Sequence, residues 1–189
     1  MQQGKALYVG ISSYSTEQTR DAVEICQQNG WANILIHQPN YSMFNRWIED
    51  RLAPACKTLG VGMIAFCPLY QGLLTNKYLN EIPAGSRADH SPELLRPAEL
   101  SDDVLDIVRD LNKIAEARGQ TLAQMAIAWI LRLPQITSVL CGASRPSQII
   151  ENCKSLENRD FSKEELQEID RLTKLATLPE SHWAGDGKS

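Results

Sequence analysis

A strand–helix alternation that recurs four times is the sequence feature that most constrains the fold of this chain. Short apolar runs of strand length are each followed by segments with helical periodicity. The predicted strands cover residues 6–11, 33–37, 61–66 and 137–141. The predicted helices cover residues 15–29, 45–59, 101–118, 121–133 and 146–156, with a last helix after Ser162. Continuous apolar strands that alternate with helices indicate a parallel α/β sheet covered by helices.

Capping signals support several of the predicted helix boundaries. Three capping boxes mark helix starts, namely Ser15 with Gln18, Thr121 with Gln124, and Ser162 with Glu165. The helix predicted for residues 45–59 contains Pro54, which interrupts it near its middle.

Two arrangements cover both faces of a parallel sheet of this kind, a doubly wound open sheet or a β/α barrel. A complete barrel of eight units needs about 250 residues, whereas this chain has 189. The G-x-G-x-x-G pattern of doubly wound dinucleotide-binding folds is absent from the sequence. The pattern therefore predicts either an open sheet or half of a barrel.

Composition excludes several classes of function. The net charge of −4 gives no basic footprint, so we expect no nucleic-acid partner. No apolar run approaches the roughly 20 residues that span a membrane, so we expect no membrane span. The five cysteines form no C-x-x-C pair, which favours reduced thiols and a cytoplasmic location. The three histidines lack metal-ligand spacing, and we expect no metal site.

The end of the fourth predicted strand allows two interpretations. The strand stops at Gly142, Ala143 and Ser144, and Arg145 precedes a helix that begins near Pro146. Small residues followed by a helix start are compatible with a simple tight turn. They also allow an anion to approach the backbone at the positive end of the helix, with Arg145 as a planar cation suited to phosphate.

Four strand-end motifs, taken together, resemble one protein family. They read YVGISSYS (residues 8–15), IHQPNYSMFNR (36–46), MIAFCPLYQGLLTNKYL (63–79) and TSVLCGASRPSQIIEN (137–152). In this order and spacing they resemble the second half of an aldo-keto reductase, over residues 4–176. The resemblance is strongest to the subgroup that contains bacterial L-glyceraldehyde-3-phosphate and methylglyoxal reductases and potassium-channel β subunits.

The resemblance implies a fold, a cofactor and a nicotinamide site. The implied fold is α/β, with parallel (β/α) units forming the second half of a TIM (β/α)₈ barrel. The implied cofactor is NADP(H), bound at the carboxyl ends of the strands, where the sites of such barrels lie. By resemblance, Ser12, Ser13 and Gln38 contact the nicotinamide carboxamide, and Phe66 stacks on the nicotinamide ring.

The phosphates and the adenine are assigned by the same resemblance. The turn facing the pyrophosphate comprises Cys67, Pro68, Leu69, Gln71 and Gly72, and the phosphate-binding cations are Lys77 and Arg87. Two residues depart from the family's usual pattern, since Cys67 replaces a Ser or Thr and Tyr70 replaces a small residue. The 2′-phosphate region comprises Gly142, Ser144, Arg145 and Gln148, and the adenine lies at Glu151 and Asn152.

The family's catalytic Tyr, Lys, Asp and His belong to the first half of the barrel, and no position of this sequence corresponds to them. We therefore predict no catalytic residue in this chain. A small carbonyl substrate is expected only where a complete barrel assembles, with a second copy of the chain or with a separate first-half chain. Residues 1–176 are expected to form the half-barrel and residues 177–189 a loosely ordered tail.

Three functions remain open at this point. The first is an NADPH-dependent oxidoreductase represented by its cofactor-binding half, which is not expected to be competent alone. The second is a non-catalytic NADP(H)-binding or interaction module. The third is an inactive truncated gene product.

Overall fold

The computed structural model of the chain describes residues 1, 3–80, 82–83, 87–90, 95–176 and 178. Its sheet has four strands, β1 (Gly10–Ser12), β2 (Ile36–Gln38), β3 (Gly62–Ala65) and β4 (Ile136–Val139). The strands lie in the order β1-β2-β3-β4, and every neighbouring pair is parallel. The predicted α/β class is thus confirmed, as an arc of four parallel strands that is consistent with part of a (β/α) barrel.

Helices connect the strands and cover the sheet. They are α1 (Thr16–Gln28), α2 (Leu52–Leu59), α3 (Arg87–His90), α4 (Asp102–Ala117), α5 (Leu122–Ile130), α6 (Pro146–Cys153) and α7 (Lys163–Leu175). Short 3₁₀ segments lie at Tyr70–Gly72, Asn76–Tyr78, Pro97–Leu100 and Lys154–Glu157. All three predicted capping boxes are present, and they open α1, α5 and α7. No helix of the described residues is long and apolar enough to cross a membrane.

The two faces of the sheet differ in burial. His37, Met63 and Ala65 are buried on the face that the helices cover. Their neighbours Ile36 and Ile64, which alternate with them along β2 and β3, are only half-buried. One face of the sheet therefore carries the core, and the other is open in this chain.

Helix α5 lies at the centre of the core. Its residues are buried except for the partly buried Ala123. Trp129 is fully buried and stacks on Tyr41, with 5.4 Å between the ring centroids. The indole thus packs in the core, and α5 joins the sheet to the outer helices.

The largest differences from the predicted element boundaries lie at one helix and at the first strand. The helix predicted for residues 45–59 runs only over Leu52–Leu59, because Ser42 and Asn45 exchange two backbone hydrogen bonds of 3.1 Å that hold this segment in a turn. Pro54 consequently falls in the first helical turn, where it removes no helical hydrogen bond. The first strand begins at Gly10 rather than at residue 6. The predicted tail lies outside the described residues, except for Leu178.

Candidate functional site

All four strands end at one edge of the sheet, and the first two bring the predicted nicotinamide residues together. Ser12 pairs with Gln38 across β1 and β2. The Ser12 hydroxyl donates a hydrogen bond of 2.9 Å to the Gln38 carbonyl oxygen, and the Ser13 amide donates to the same oxygen at 3.2 Å. Ser13 has a φ of 57°, a left-handed conformation that is uncommon outside glycine. This conformation turns the chain sharply at the end of β1.

Phe66 lies next to this pair because pairing between the β2 and β3 segments continues beyond Gln38. The Phe66 amide donates to the Pro39 carbonyl oxygen at 3.0 Å, and the Tyr41 amide donates to the Phe66 carbonyl oxygen at 3.2 Å. Phe66 is half-buried. The structure therefore brings Ser12, Gln38 and Phe66 to neighbouring strand ends, as a common nicotinamide site requires.

The turn after β3 contains a cluster of left-handed residues. The φ angles are 55° at Cys67, 44° at Tyr70, 57° at Gln71 and 99° at Gly72. The Gln71 side-chain amide donates to Cys67 Sγ at 3.3 Å and closes the turn. Non-glycine residues in this conformation cost of order 1–3 kcal/mol each and concentrate at functional sites. Backbone N–H groups in such turns form anion-binding concavities, which suits the predicted pyrophosphate contact.

The predicted 2′-phosphate residues meet at the N-terminus of α6. Gln148 Oε1 accepts hydrogen bonds from the Ser144 amide at 2.8 Å, the Ser144 hydroxyl at 3.1 Å and the Arg145 amide at 3.1 Å. Arg145 is exposed, and open space surrounds Gly142. The Gln148 side chain thus fills the positions that a phosphate would take, and an anion must displace it to reach the backbone N–H groups.

The residues assigned to the adenine lie further along α6 and are held by neighbours. The Glu151 carboxylate accepts from Gln124 Nε2 of α5 at 3.2 Å and pairs with Lys154 at 2.7 Å. Asn152 is half-buried. Gln124 was predicted only as part of a capping box, and its second role in fixing α6 on α5 has no signal in the sequence.

Of the two predicted phosphate-binding cations, the structure describes the side chain of Lys77 alone. Lys77 is exposed in the 3₁₀ segment, and its ammonium lies 5.7 Å from the centroid of the Tyr78 ring. Arg87 begins the short helix α3, but its side chain lies outside what the structure describes. Their role as phosphate ligands stays a prediction.

Two tyrosines, Tyr41 and Tyr70, have a raised pKa. Burial raises the pKa of Tyr41, and Glu49 adds to the shift while Arg132 opposes it. Burial and Glu99 raise the pKa of Tyr70. A phenol that donates and recovers a proton near neutrality needs its pKa lowered by a nearby cation, which is the opposite direction.

A polar network that the sequence interpretation missed anchors the segment after β2. The Tyr41 hydroxyl donates to Glu49 Oε1 at 2.5 Å, and Arg132 Nη2 donates to the same oxygen at 3.0 Å. Arg46 donates to Glu49 Oε2 at 2.7 Å and to Asp170 at 2.6 Å. The spacing of Arg46 and Glu49 is a helical ion-pair signal, but the link to Arg132 is not visible in sequence. Because Tyr41 also binds the Phe66 carbonyl oxygen, this network fixes the strand end at the candidate nicotinamide site.

A surface cavity of 790 Å³ lies near the amino end of β4. Its lining includes Leu131 and Leu133, which immediately precede β4, together with Arg159 and Phe161. It is therefore remote from the strand ends that carry the predicted cofactor residues. Among the described residues, no group of three or more His, Cys, Asp or Glu side chains is arranged to hold a metal ion.

Comparison with known proteins gives a consistent family. A family model described as the aldo/keto reductase family matches residues 1–174. L-glyceraldehyde 3-phosphate reductase of Escherichia coli (strain K12) is 48% identical over 176 residues, which is 90% of this chain and 50% of that protein. A probable voltage-gated potassium channel subunit beta of Oryza sativa subsp. japonica is 38% identical over 157 residues, which is 82% of this chain and 48% of that protein.

A third relative, a putative voltage-gated potassium channel subunit beta of Schizosaccharomyces pombe, is 35% identical over 185 residues. The match covers 94% of this chain and 53% of that protein. The chain thus spans about half the length of the curated relatives it matches.

Proposed function

Because the chain belongs to the aldo/keto reductase family of oxidoreductases, we propose that it binds NADP(H) at the carboxyl ends of its strands and serves as the cofactor half of a carbonyl reductase. The observation that supports this proposal most is the convergence of three features on one edge of the sheet. These are the linked pair Ser12 and Gln38, the left-handed turn that begins at Cys67, and the α6 N-terminus with Arg145.

Each feature suits a different part of a nicotinamide dinucleotide. Hydroxyl and amide groups of Ser12 and Gln38 match the hydrogen-bonding groups of a carboxamide, and the Phe66 ring offers a face for stacking. The backbone of the turn after β3 is proposed to face the pyrophosphate, although the Tyr70 and Gly72 N–H groups already donate within the turn. The exposed guanidinium of Arg145 suits a 2′-phosphate, which NADP(H) has and NAD(H) lacks.

In this proposal the chain's residues bind and orient the cofactor, and bound NADPH supplies the hydride. The raised pKa of Tyr41 and of Tyr70 makes both phenols poor proton donors, and we propose that the proton comes from a group that the first half of the barrel supplies. We propose a small aldehyde or ketone as the substrate, because the Escherichia coli relative is an L-glyceraldehyde 3-phosphate reductase. All five cysteines are free thiols, which supports a reducing location such as the cytoplasm.

Fluorescence titration tests the binding part of the proposal. We expect NADPH fluorescence to change on binding at micromolar protein, and NADH to bind more weakly. Arg145→Ala removes a charge-assisted bond of about 1.5–3 kcal/mol, which corresponds to roughly a tenfold or greater rise in the Kd for NADPH. The Kd for NADH should not change, because its ribose carries no 2′-phosphate.

Arg159→Ala is the matched control. Arg159 is also an exposed arginine, but it lines the cavity near the amino end of β4. It should leave both affinities unchanged. If Arg159→Ala weakened NADPH binding and Arg145→Ala left it unchanged, the nucleotide would lie in that cavity. This result would contradict the proposal.

The potassium-channel relatives favour a second candidate, a non-catalytic NADP(H)-binding module. Adding methylglyoxal to the NADPH-loaded chain separates the two. NADPH oxidation that slows in the Arg145→Ala variant at subsaturating NADPH would support a reductase, whereas binding without oxidation by the chain or by an assembled barrel would support the binding module.

A further inference from the structure

Three buried polar side chains in the segment after β2 each carry an atom that has no hydrogen-bond partner among the described residues. The atoms are Asn40 Oδ1, Ser42 Oγ and Asn45 Nδ2. Ser42 is fully buried, and Asn40 and Asn45 are only 6% and 7% exposed. Buried polar groups are nearly always hydrogen-bonded, because an unpaired one loses its hydration without compensation. Three such atoms so close together in the chain therefore call for a common explanation.

The backbone directs all three side chains to one side of the segment. Asn40 forms a parallel bridge with Phe66, so its backbone is extended. Residues two positions apart in extended backbone share a face, which places Asn40 and Ser42 on the same side. Ser42 and Asn45 form an antiparallel bridge and exchange both backbone hydrogen bonds, so their side chains also share a side. The three unpaired atoms are thus gathered on one face of a short turn.

The opposite side of the segment is already occupied. Tyr41 lies between Asn40 and Ser42 and points the other way, where it stacks on Trp129 and donates its hydroxyl proton to Glu49. No described group of that network bonds to the three unpaired atoms. The face that carries them is therefore separate from the Tyr41 network.

The three atoms have complementary hydrogen-bonding roles. Asn40 Oδ1 can only accept, Asn45 Nδ2 can only donate, and the Ser42 hydroxyl can do both. A water molecule donates two protons and accepts at two lone pairs, and a buried water makes about three hydrogen bonds to otherwise unsatisfied groups. One water can therefore satisfy all three atoms at once.

We propose that Asn40, Ser42 and Asn45 form a polar pocket that binds one buried water molecule. The water donates to Asn40 Oδ1, accepts from Asn45 Nδ2 and bonds to the Ser42 hydroxyl. Residues of this same chain already bury the three side chains. The proposal therefore requires neither a partner nor the cofactor, and it stands or falls independently of the proposed function.

The polar pocket also supports the strand end at the candidate nicotinamide site. The Phe66 amide donates to the Pro39 carbonyl oxygen, and the Tyr41 amide donates to the Phe66 carbonyl oxygen. The pocket follows directly after these two bonds. A water that joins three side chains fixes the turn and thereby holds the segment to which Phe66 is bonded.

A high-resolution crystal structure of the chain tests the pocket directly. We expect electron density for a water oxygen about 2.7–3.2 Å from Asn40 Oδ1, Ser42 Oγ and Asn45 Nδ2. Direct hydrogen bonds among the three side chains, or the lack of any water bonded to them, would overturn the proposal.

Magnetic relaxation dispersion of the water signal counts long-lived buried waters in solution. A chain of 189 residues holds on the order of seven such waters, so the loss of one is a measurable fraction. Asn45→Leu keeps the approximate shape of the side chain but removes its donor. We expect this variant to lose dispersion amplitude equal to the share of one water.

Thr19→Val is the matched control. Thr19 is also fully buried, but its hydroxyl donates to the Ser15 carbonyl oxygen at 2.8 Å and needs no water. The dispersion amplitude of this variant should equal that of the wild type. Wild-type amplitude in folded Asn45→Leu, or an equal loss in both variants, would contradict the proposal. If Asn45→Leu does not fold, the crystal structure of the wild type decides alone.

Hydrogen exchange measures the effect of the water on the strand end. Asn45→Leu should raise the exchange rates of the Tyr41 and Phe66 amides at least about tenfold, because the turn beside them loses its bridge. Thr19→Val should leave both rates unchanged. Wild-type rates in Asn45→Leu would overturn the supporting role of the polar pocket.

Discussion

Replacing Glu49 with Gln should destabilise the chain far more than its surface position suggests. The Glu49 carboxylate accepts hydrogen bonds from the Tyr41 hydroxyl, from Arg46 and from Arg132. Burial alone would raise the pKa of Glu49, but the hydrogen bonds from these partners outweigh it and lower the pKa below its ordinary value. The charged form is therefore the one that the fold stabilises.

The magnitude follows from the burial of the pair partners. The side chains of Glu49 and Arg132 are only 21% and 17% exposed. Breaking a buried ion pair by neutralising one partner costs about 3–5 kcal/mol, and residual exposure favours the lower end. We expect Glu49→Gln to lower the free energy of unfolding by about 3 kcal/mol, which is roughly 6–12 °C in Tm for a chain of this size.

Chemical denaturation of both variants measures the effect. Glu168→Gln is the control, because Glu168 also pairs with an arginine, Arg171, but both side chains are about half exposed. Its free energy of unfolding should stay at the wild-type value. Equal destabilisation of the two variants, or none in Glu49→Gln, would refute the view that this network anchors the segment after β2.

Three further predictions concern the same fold. The stability that Glu49 provides is present above its unfolded pKa and lost as the pH falls through its lower folded pKa, so wild type should lose stability below about pH 4.3 more steeply than Glu49→Gln in acid titration. Gly72→Ala should cost about 1–2 kcal/mol in thermal unfolding because the φ of Gly72 is 99°, whereas Gly142→Ala, in open space, should be neutral. Arg118→Lys should cost about 3 kcal/mol in urea unfolding, because Arg118 is 3% exposed, pairs with Glu165 at 2.7 Å and stacks on Phe161 at 3.8 Å; a neutral result would contradict this assignment.

Local patterns in the sequence predict the elements of this fold well. The helix starts at Ser15, Thr121 and Ser162 are confirmed, because a capping box is a signal contained within four residues. The parallel α/β class is confirmed because strand-length apolar runs that alternate with helices carry it, and the family is confirmed because the four strand-end motifs resemble it.

Backbone conformations and side-chain contacts that leave no pattern in the sequence could not be predicted. The left-handed conformations of Ser13 and Cys67 have no sequence signal, because neither residue is glycine. The hydrogen bond between Arg132 and Glu49 joins residues that are 83 positions apart, so no local pattern indicates it. The role of Gln148 as an internal acceptor at the α6 N-terminus also appears only in the folded chain.

The position of the proposed cofactor on this chain stays a prediction, and differential hydrogen exchange with NADP⁺ tests it most directly. We expect NADP⁺ to protect three separate peptides at the carboxyl edge of the sheet, those containing Ser12–Ser13, the turn from Cys67 to Gly72, and Gly142 to Gln148. Protection confined to the cavity around Leu133 and Phe161, or no protection at saturating NADP⁺, would contradict the account.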